Sequence, residues 1–405
     1  MEPNWHYLLE CPVQNYDWGN SDPEGIIHTL LADHAPLPAG ATAAELWMGA
    51  HPSAPARLSD GTRLQEAIAA DPAHFLGPTL SQRGAKTLPF LFKVLDASRP
   101  LSIQAHPDLA GAKRLHARDP EHYPDDNHKP ELAICLRDMR ALMGFRPVNY
   151  IRTFLDELPE LARLCAPETV DSGLAPRDWI RALYGNLMRA SAERIDASAR
   201  FLLRREEKTF VVEKRLFEDL TDQFGTRDPG IFSIFFLNYV ELKFGEAIFL
   251  GPNEPHAYLS GQILECMAAS DNVVRAGLTG KFMDVETLLE MLHYNPGLPD
   301  IKSPRPAGQA ESYEIPVRDF VVRRWHCAGQ TARIQNHDRP SVFLILKGEI
   351  QLEAMGDDAP APTVVKLPKG RVFFLPGDLA GRGITVSLLG TEDAIVYQAT
   401  VAEDY

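Results

Sequence analysis

The hydrophobic period of this chain changes three times along its length, which excludes any single uniform architecture. Between residues 148 and 224 apolar side chains recur at helical spacing. Ile151, Phe154, Leu155 and Leu158 fall at i, i+3, i+4 and i+7, Ile180, Leu183, Tyr184 and Leu187 repeat the pattern, and Val212, Leu216, Leu220 and Phe224 form an i, i+4 ladder. Each set is one apolar stripe with charge on the remaining faces. Residues 1–147 read differently: they are rich in Pro and Gly with short apolar runs such as 88–95, the mark of strands and loops. Helical character ends near 225–230, and strand character returns at Ile231. Gly245-Glu246 reads as a hairpin turn, and Asp284 as the N-cap of a helix whose face is Val285, Leu288, Leu289 and Leu292, ended by Pro296 and Pro299. From 316 onward short strands alternate with glycine turns, as at Lys347-Gly348-Glu349 and Pro376-Gly377-Asp378.

The expectation is a mainly β protein with an α-helical insertion. At 405 residues the chain exceeds what one hydrophobic core organises. The β segments 1–147 and 231–315 are expected to form one domain, with 148–230 inserted as a helical domain and 316–405 as a second β domain.

Net charge is −14, which disfavours nucleic acid and anionic membrane surfaces as partners but leaves a small anionic substrate open, since a local basic cluster can hold one. No apolar run approaches the ~18 residues of a spanning helix, and residues 1–20 lack the pattern of a secretory leader. Five scattered cysteines (Cys11, Cys135, Cys165, Cys266, Cys327) without a CxxC pair read as reduced thiols, and hence as a cytoplasmic protein.

Chemistry concentrates in four stretches. In 101–107, LSIQAHP, strand alternation places Ser102, Gln104 and His106 on one face and Leu101, Ile103 and Ala105 on the other. Three polar groups on a hydrophobic strand need partners if buried. In 127–134, Glu131 opens an apolar run. In 253–259, His256 stands at a turn-to-strand entry. Imidazole, carboxylate and amide oxygen together suit a divalent ion such as zinc, in an open rather than a thiolate-rich structural site. Spacing alone does not join these segments. The fourth stretch, 263–277, packs Glu265, Asp271 and Arg275 among apolar residues, with a structural Asp271–Arg275 pair as the plainer reading.

The motifs LPFLFKVLDASRPLSIQAHPD (88–108), DDNHKPELAI (125–134) and GPNEPHAYLSGQILECMAASDNVVRAG (251–277), with YDWGN (16–20) and AELWMGAHP (44–52), resemble those of the type I phosphomannose isomerases. The resemblance runs in order through residues 16–290; the helical block and the C-terminal segment resemble the family only in length and position. It implies two cupin (jelly-roll) domains plus a helical domain, the C-terminal cupin lacking a metal. It implies one Zn²⁺ per chain on Gln104, His106, Glu131 and His256, and interconversion of mannose 6-phosphate and fructose 6-phosphate through an enediol(ate). By motif position, Arg275, Glu265 and Lys129 are the catalytic candidates, and Ser102, Lys93 and Lys281 the phosphate-binding ones, with Tyr258 and Asp271 orienting neighbours. Lys281 follows Gly280 where the family usually has Pro, which loosens that loop.

Other residues carry blander readings: Trp18 and Trp47 as core aromatics, Glu45 as either pocket wall or loop cap, His51, His116, His122 and His128 at the surface or behind the ligands, and Lys113-Arg114 as a solvated helix face. Two other chemistries compete: an iron dioxygenase, against which Gln104 as a fourth ligand argues, and a sugar-sensing or storage cupin, which would not need Lys129, Glu265 and Arg275 together. The oligomeric state is left open, a monomer being compatible with every feature above.

Overall fold

The computed structural model describes residues 4–403, apart from 172, 328, 330, 335–337, 358–360 and 392. Among the described residues it is sheet-rich, with three antiparallel sheets, a block of helices over 148–224 and shorter helices outside it. The largest sheet has ten strands: β1 (Val13–Gln14), β2 (Glu45–Met48), β3 (Phe90–Ala97), β4 (Ile103–Ala105), β5 (Glu131–Phe145), β6 (Leu237–Leu242), β7 (Ala247–Leu250), β8 (His256–Ala268), β9 (Val274–Gly277) and β10 (Ile301–Lys302). Its main path runs β10-β7-β5-β8-β3-β2-β1, with β6 beside β5, and β4 bridging β8 to β9.

Strand β3 shows why the sheet has two faces. Phe90, Phe92 and Val94 point one way and Leu91, Lys93 and Leu95 the other, and all eight residues of the strand are buried. The first face joins Leu46, Met48, Leu132, Ile134, Leu264 and Cys266 in a core shared with Val342, Leu344, Val372, Phe374 and Tyr397 of the eight-stranded sheet. The second face carries the site. Strands β5 and β8, with 15 and 13 residues, are long for a globular protein and are bent by register shifts around 258–263. Gly261 sits in that bend with φ +123°, and a Cβ there would press on the Asp138–Met139 backbone, so only glycine fits.

The eight-stranded sheet draws on both ends of the chain. Tyr7–Glu10 pairs with Val372–Leu375, and Ala310–Ser312 with Val321–His326. A four-stranded sheet (Thr331–Arg333, Ile384–Gly390, Glu349–Gly356, Thr363–Pro368) packs onto its outer side through Phe343, Ile345, Phe373, Ile350, Leu352 and Val386.

The described residues of 148–224 form five α-helices: α1 (Val148–Glu157), α2 (Pro159–Cys165), α3 (Pro176–Met188), α4 (Ala192–Arg204) and α5 (Val211–Phe224). The stripes of α1 and α3 are buried as expected, and α6 (Val285–Met291) is capped by Asp284, which accepts from Thr287 N–H. The stripe on α5 is rotated: Val212 is 51% exposed, and Leu216, Phe217, Leu220 and Thr221 are its buried face. Helix α4, with Ile195, Ala199 and Leu202 inward, lies within the block read as helical, though no stripe was read for it. Residues from Ile231 form a 3₁₀ turn over Pro229–Phe235, where Asp228 accepts from Gly230 N–H, and the strand starts only at Leu237. An apolar run buried on every side reads alike in either conformation. The described residues before 148 also hold four helices, the longest spans being Pro72–Gln82, broken at Gly77, and Leu109–Arg118, which exposes Lys113 and Arg114. No helix among the described residues is long and apolar enough to cross a membrane.

Candidate active site and metal centre

Strand register assembles the site in rows, because residues opposite one another in a ladder share a face. Trp47, Lys93 and Glu265 lie abreast on β2, β3 and β8. His256, Gln104 and Arg275 lie abreast on β8, β4 and β9. Glu131 opens β5 opposite Met267 of β8. Segments far apart in sequence are thereby brought to one floor, at the bottom of a cleft of about 710 Å³.

His106, Glu131 and His256 are fully buried, and one ligand atom from each lies within 4.8 Å of the others. His106 Nε2 is 3.4 Å from Glu131 Oε1, and His256 Nε2 is 3.5 Å from Glu131 Oε2. Both imidazoles are set by backbone carbonyls: His106 Nδ1–H donates to Asn272 O at 2.8 Å and His256 Nδ1–H to Glu254 O at 3.0 Å. A carbonyl only accepts, so each Nδ1 carries the proton and each Nε2 turns a lone pair toward Glu131. Burial lowers His106 to about 4, against the pull of Glu131, so its imidazole is neutral at neutral pH and its Nε2 lone pair is available to a cation. His106 Nε2 and Glu131 Oε2 are buried without hydrogen-bond partners. Unsatisfied lone pairs converging on one point fit a cation. The Gln104 amide is at the same point, 3.4 Å from His256 Nε2, and an amide flip turns its oxygen inward. The expected ligand set is therefore brought together.

Beside it lies a chain of buried charges. Lys129 Nζ is 3.0 Å from Glu131 Oε1. Lys93, expected at the phosphate, is buried over the Trp47 ring, 3.3 Å from Glu45 Oε2 and 3.7 Å from Glu265 Oε2. Burial opposes its charge, but Glu45, Glu265 and Glu131 together raise its pKa. Burial and the nearby charge of Glu131 lift Glu265 to about 7 despite Lys93. Both values rise, which favours the charged form of Lys93 but the neutral form of Glu265, because Lys93 answers chiefly to the nearer Glu45. Tyr258 O–H donates to Glu265 Oε1 at 2.9 Å. Burial, then Glu265, keeps that phenol well above its ordinary value.

Ser102, Arg275, Asp271 and Lys281 line the same cleft. No carboxylate among the described residues pairs with Arg275, so the Asp271–Arg275 pair does not form. Asp271 instead meets His51 Nε2 at 3.4 Å. Lys281 is exposed, its ammonium 5.1 Å from the Tyr16 ring. Trp18, Trp47 and Glu45 line the cleft. His128 reaches Asp319, His116 Nδ1 contacts Tyr123 O, and His122 pairs with Asp119. Tyr16, Asp17, Arg99 and the α5 end (Asp222, Gln223, Phe224) also line it and were missed. Only the YDWGN motif hinted at the first two.

A buried two-His, one-Glu cluster with free lone pairs, floored by paired charges and open to a cleft of substrate size, defines a metal-dependent enzyme. The family model for the type I phosphomannose isomerase catalytic domain matches residues 7–148. A protein named as probable mannose-6-phosphate isomerase from Echinococcus multilocularis is 40% identical, over 95% of this chain and 96% of its own length. Human mannose-6-phosphate isomerase is 35% identical, over 97% and 98%. The Salmonella typhimurium enzyme crystallised with fructose 6-phosphate and zinc superposes with a TM-score of 0.83 at 29% identity, over 98% of this chain and all of that one. The chain belongs to the type I phosphomannose isomerase family and is an aldose–ketose isomerase. That membership sets aside the dioxygenase and storage readings.

Proposed function

We propose that this protein interconverts mannose 6-phosphate and fructose 6-phosphate through an enediol(ate), with one Zn²⁺ held by Gln104, His106, Glu131 and His256. The observation that carries the reading is the juxtaposition of unsatisfied metal-ligand lone pairs with Glu265, held near neutrality, and Arg275, free of any carboxylate among the described residues, in one cleft. Bound zinc would supply Lewis-acid polarisation of the sugar oxygens.

An isomerase of this kind moves a proton between C1 and C2 and stabilises negative charge on oxygen. A carboxyl near pH 7 both accepts and returns a proton efficiently, which suits Glu265, with Tyr258 fixing its orientation. Arg275, abreast of Gln104, offers a fixed cation to the developing oxyanion. Lys129 neutralises Glu131 and is the second acid–base candidate. Ser102 and Lys281 meet the phosphate, while Lys93 balances the floor carboxylates. We assign 1–147 with 231–315 to a catalytic cupin, 148–230 to the helical insertion and 316–405 to a second cupin without metal.

The test is conversion of mannose 6-phosphate to fructose 6-phosphate by purified protein, before and after chelation and with zinc restored. Activity lost on chelation and regained with zinc supports the proposal. Absence of turnover in folded, zinc-loaded protein overturns it, and turnover untouched by thorough metal removal overturns the metal's role.

A further inference from the structure

We infer that Asp125 is a positioning residue for the metal centre: it ties down the 270–272 loop whose backbone carbonyl orients His106. The inference rests on the metal-dependent reading above.

Asp125 belongs to the DDNHKPE stretch, of which the site uses only Lys129 and Glu131 directly. Its carboxylate accepts three hydrogen bonds from one short loop. Oδ1 takes Ser270 Oγ–H at 2.8 Å and Asn272 Nδ2–H at 3.0 Å, and Oδ2 takes Asp271 N–H at 2.7 Å. The Asn272 amide is gripped from the same side, donating to Asp125 O at 2.7 Å and Asn127 O at 2.9 Å, and Ser270 Oγ also lies 3.2 Å from Asn127 O. Asn272 has no accessible surface and Ser270 is 2% exposed.

This loop does two things at the site. The Asn272 carbonyl accepts His106 Nδ1–H, which selects the tautomer with its lone pair on Nε2. The loop also places Asp271 on the cleft wall against His51. A free loop would let the Asn272 carbonyl turn away. The imidazole would then lose both its orientation and its tautomer, the two things a ligand must have before a metal arrives. Asp125 touches neither metal ligand nor substrate; it acts through the loop.

The experiment measures zinc affinity by competition with a chromophoric chelator, alongside thermal unfolding of the metal-free protein. Wild type comes first: if it binds no zinc, the metal reading falls, independently of Asp125. Asp125→Ala is expected to weaken zinc binding by about 10–100-fold, the range for partners behind a ligand. Asn272→Ala approaches the same loop from the other side, keeping the carbonyl but losing its tethers, and is expected to weaken zinc similarly. Asp125→Asn keeps the acceptor at Oδ1 but sets an N–H against Asp271 N–H, so it falls between Ala and wild type. As a control, Tyr184→Phe removes the hydrogen bond to Ser233 in the helical core and is expected to leave zinc affinity unchanged even where it lowers the unfolding temperature. Wild-type affinity in either alanine variant that folds, or in Asp125→Asn should neither alanine variant fold, overturns the inference. So does a loss of affinity in Tyr184→Phe that matches theirs at equal destabilisation, since a merely structural role would then account for it.

Discussion

Replacing Lys93 by Met keeps the length of the side chain and removes one charge from the cleft floor. In the wild type its ammonium lies 3.3 Å from Glu45 and 3.7 Å from Glu265, with all three side chains at most 10% exposed. Burial and the negative charge of Glu131 lift Glu265 from 4.5 to about 7 even with Lys93 in place. A carboxyl raised that far costs the folded state about 3 kcal/mol in alkaline solution, where it must be charged. Without Lys93 two carboxylates stay buried without their cation, and breaking a buried pair from one side costs about 3–5 kcal/mol. The sign with pH follows from the direction of the shift. The folded pKa lies above the unfolded one, so the penalty is full above the folded value, shrinks as pH falls through it, and vanishes below the unfolded value near 4.5. Lys93→Met moves the folded value higher still. The stability gap between variant and wild type is therefore widest near about pH 9 and closes toward about pH 5. Urea unfolding of the metal-free proteins across that range, followed by circular dichroism, measures it. A gap that does not change with pH would refute the electrostatic argument and assign the loss to packing over Trp47.

Four further outcomes are expected. Glu131→Gln removes the carboxylate shared by both histidines and weakens zinc by more than about 100-fold, beyond the effect of outlying partners; zinc at about 100 times its wild-type Kd, worth about 2.7 kcal/mol to wild type, should then stabilise the variant by less than about 0.4 kcal/mol in an unfolding assay. Tyr258→Phe withdraws a donor from Glu265, so the acid limb of kcat/KM against pH moves to higher pH, since a carboxylate that loses a hydrogen bond is more easily protonated. Gly77→Ala puts a Cβ against the carbonyls of Gly377 and Asp338 at φ +80°, and lowers stability by about 3 kcal/mol or more in a denaturation assay, with the site intact. Leu183→Ala in the core of α3 costs about 2–5 kcal/mol of helical-block stability, read by hydrogen exchange there.

The residues proposed as metal ligands stood out because each breaks a local rule: a carboxylate opening an apolar strand, an amide on a short one with an imidazole one residue past its end, and a second imidazole at a strand entry. What joins them was not legible from spacing. Gln104 and His256 are partners only because β4 pairs with β8, and a register is a long-range choice that no window of sequence contains. Helices α1 and α3 were readable from amphipathic stripes, whereas α5 was misjudged by its face because Phe217, one step from Leu216, draws the buried stripe around. The apolar run at 231 resisted reading for the opposite reason: surrounded by core, it has no polar face to betray its period.

The same logic explains the Asp271–Arg275 pair that did not form. Four residues apart, they would be neighbours on a helix, but Arg275 lies on a strand and Asp271 in the loop before it. Strand β9 turns Arg275 toward the Gln104 row, while the loop, held by Asp125, turns Asp271 toward His51. Arg275 thus reaches the cleft without a carboxylate beside it among the described residues, and burial lowers its pKa from an ordinary value so high that it stays charged. A half-buried guanidinium left in that condition is costly to the folded protein and useful only to an anionic guest, so the charge the fold leaves uncompensated is the one we assign to the enediolate.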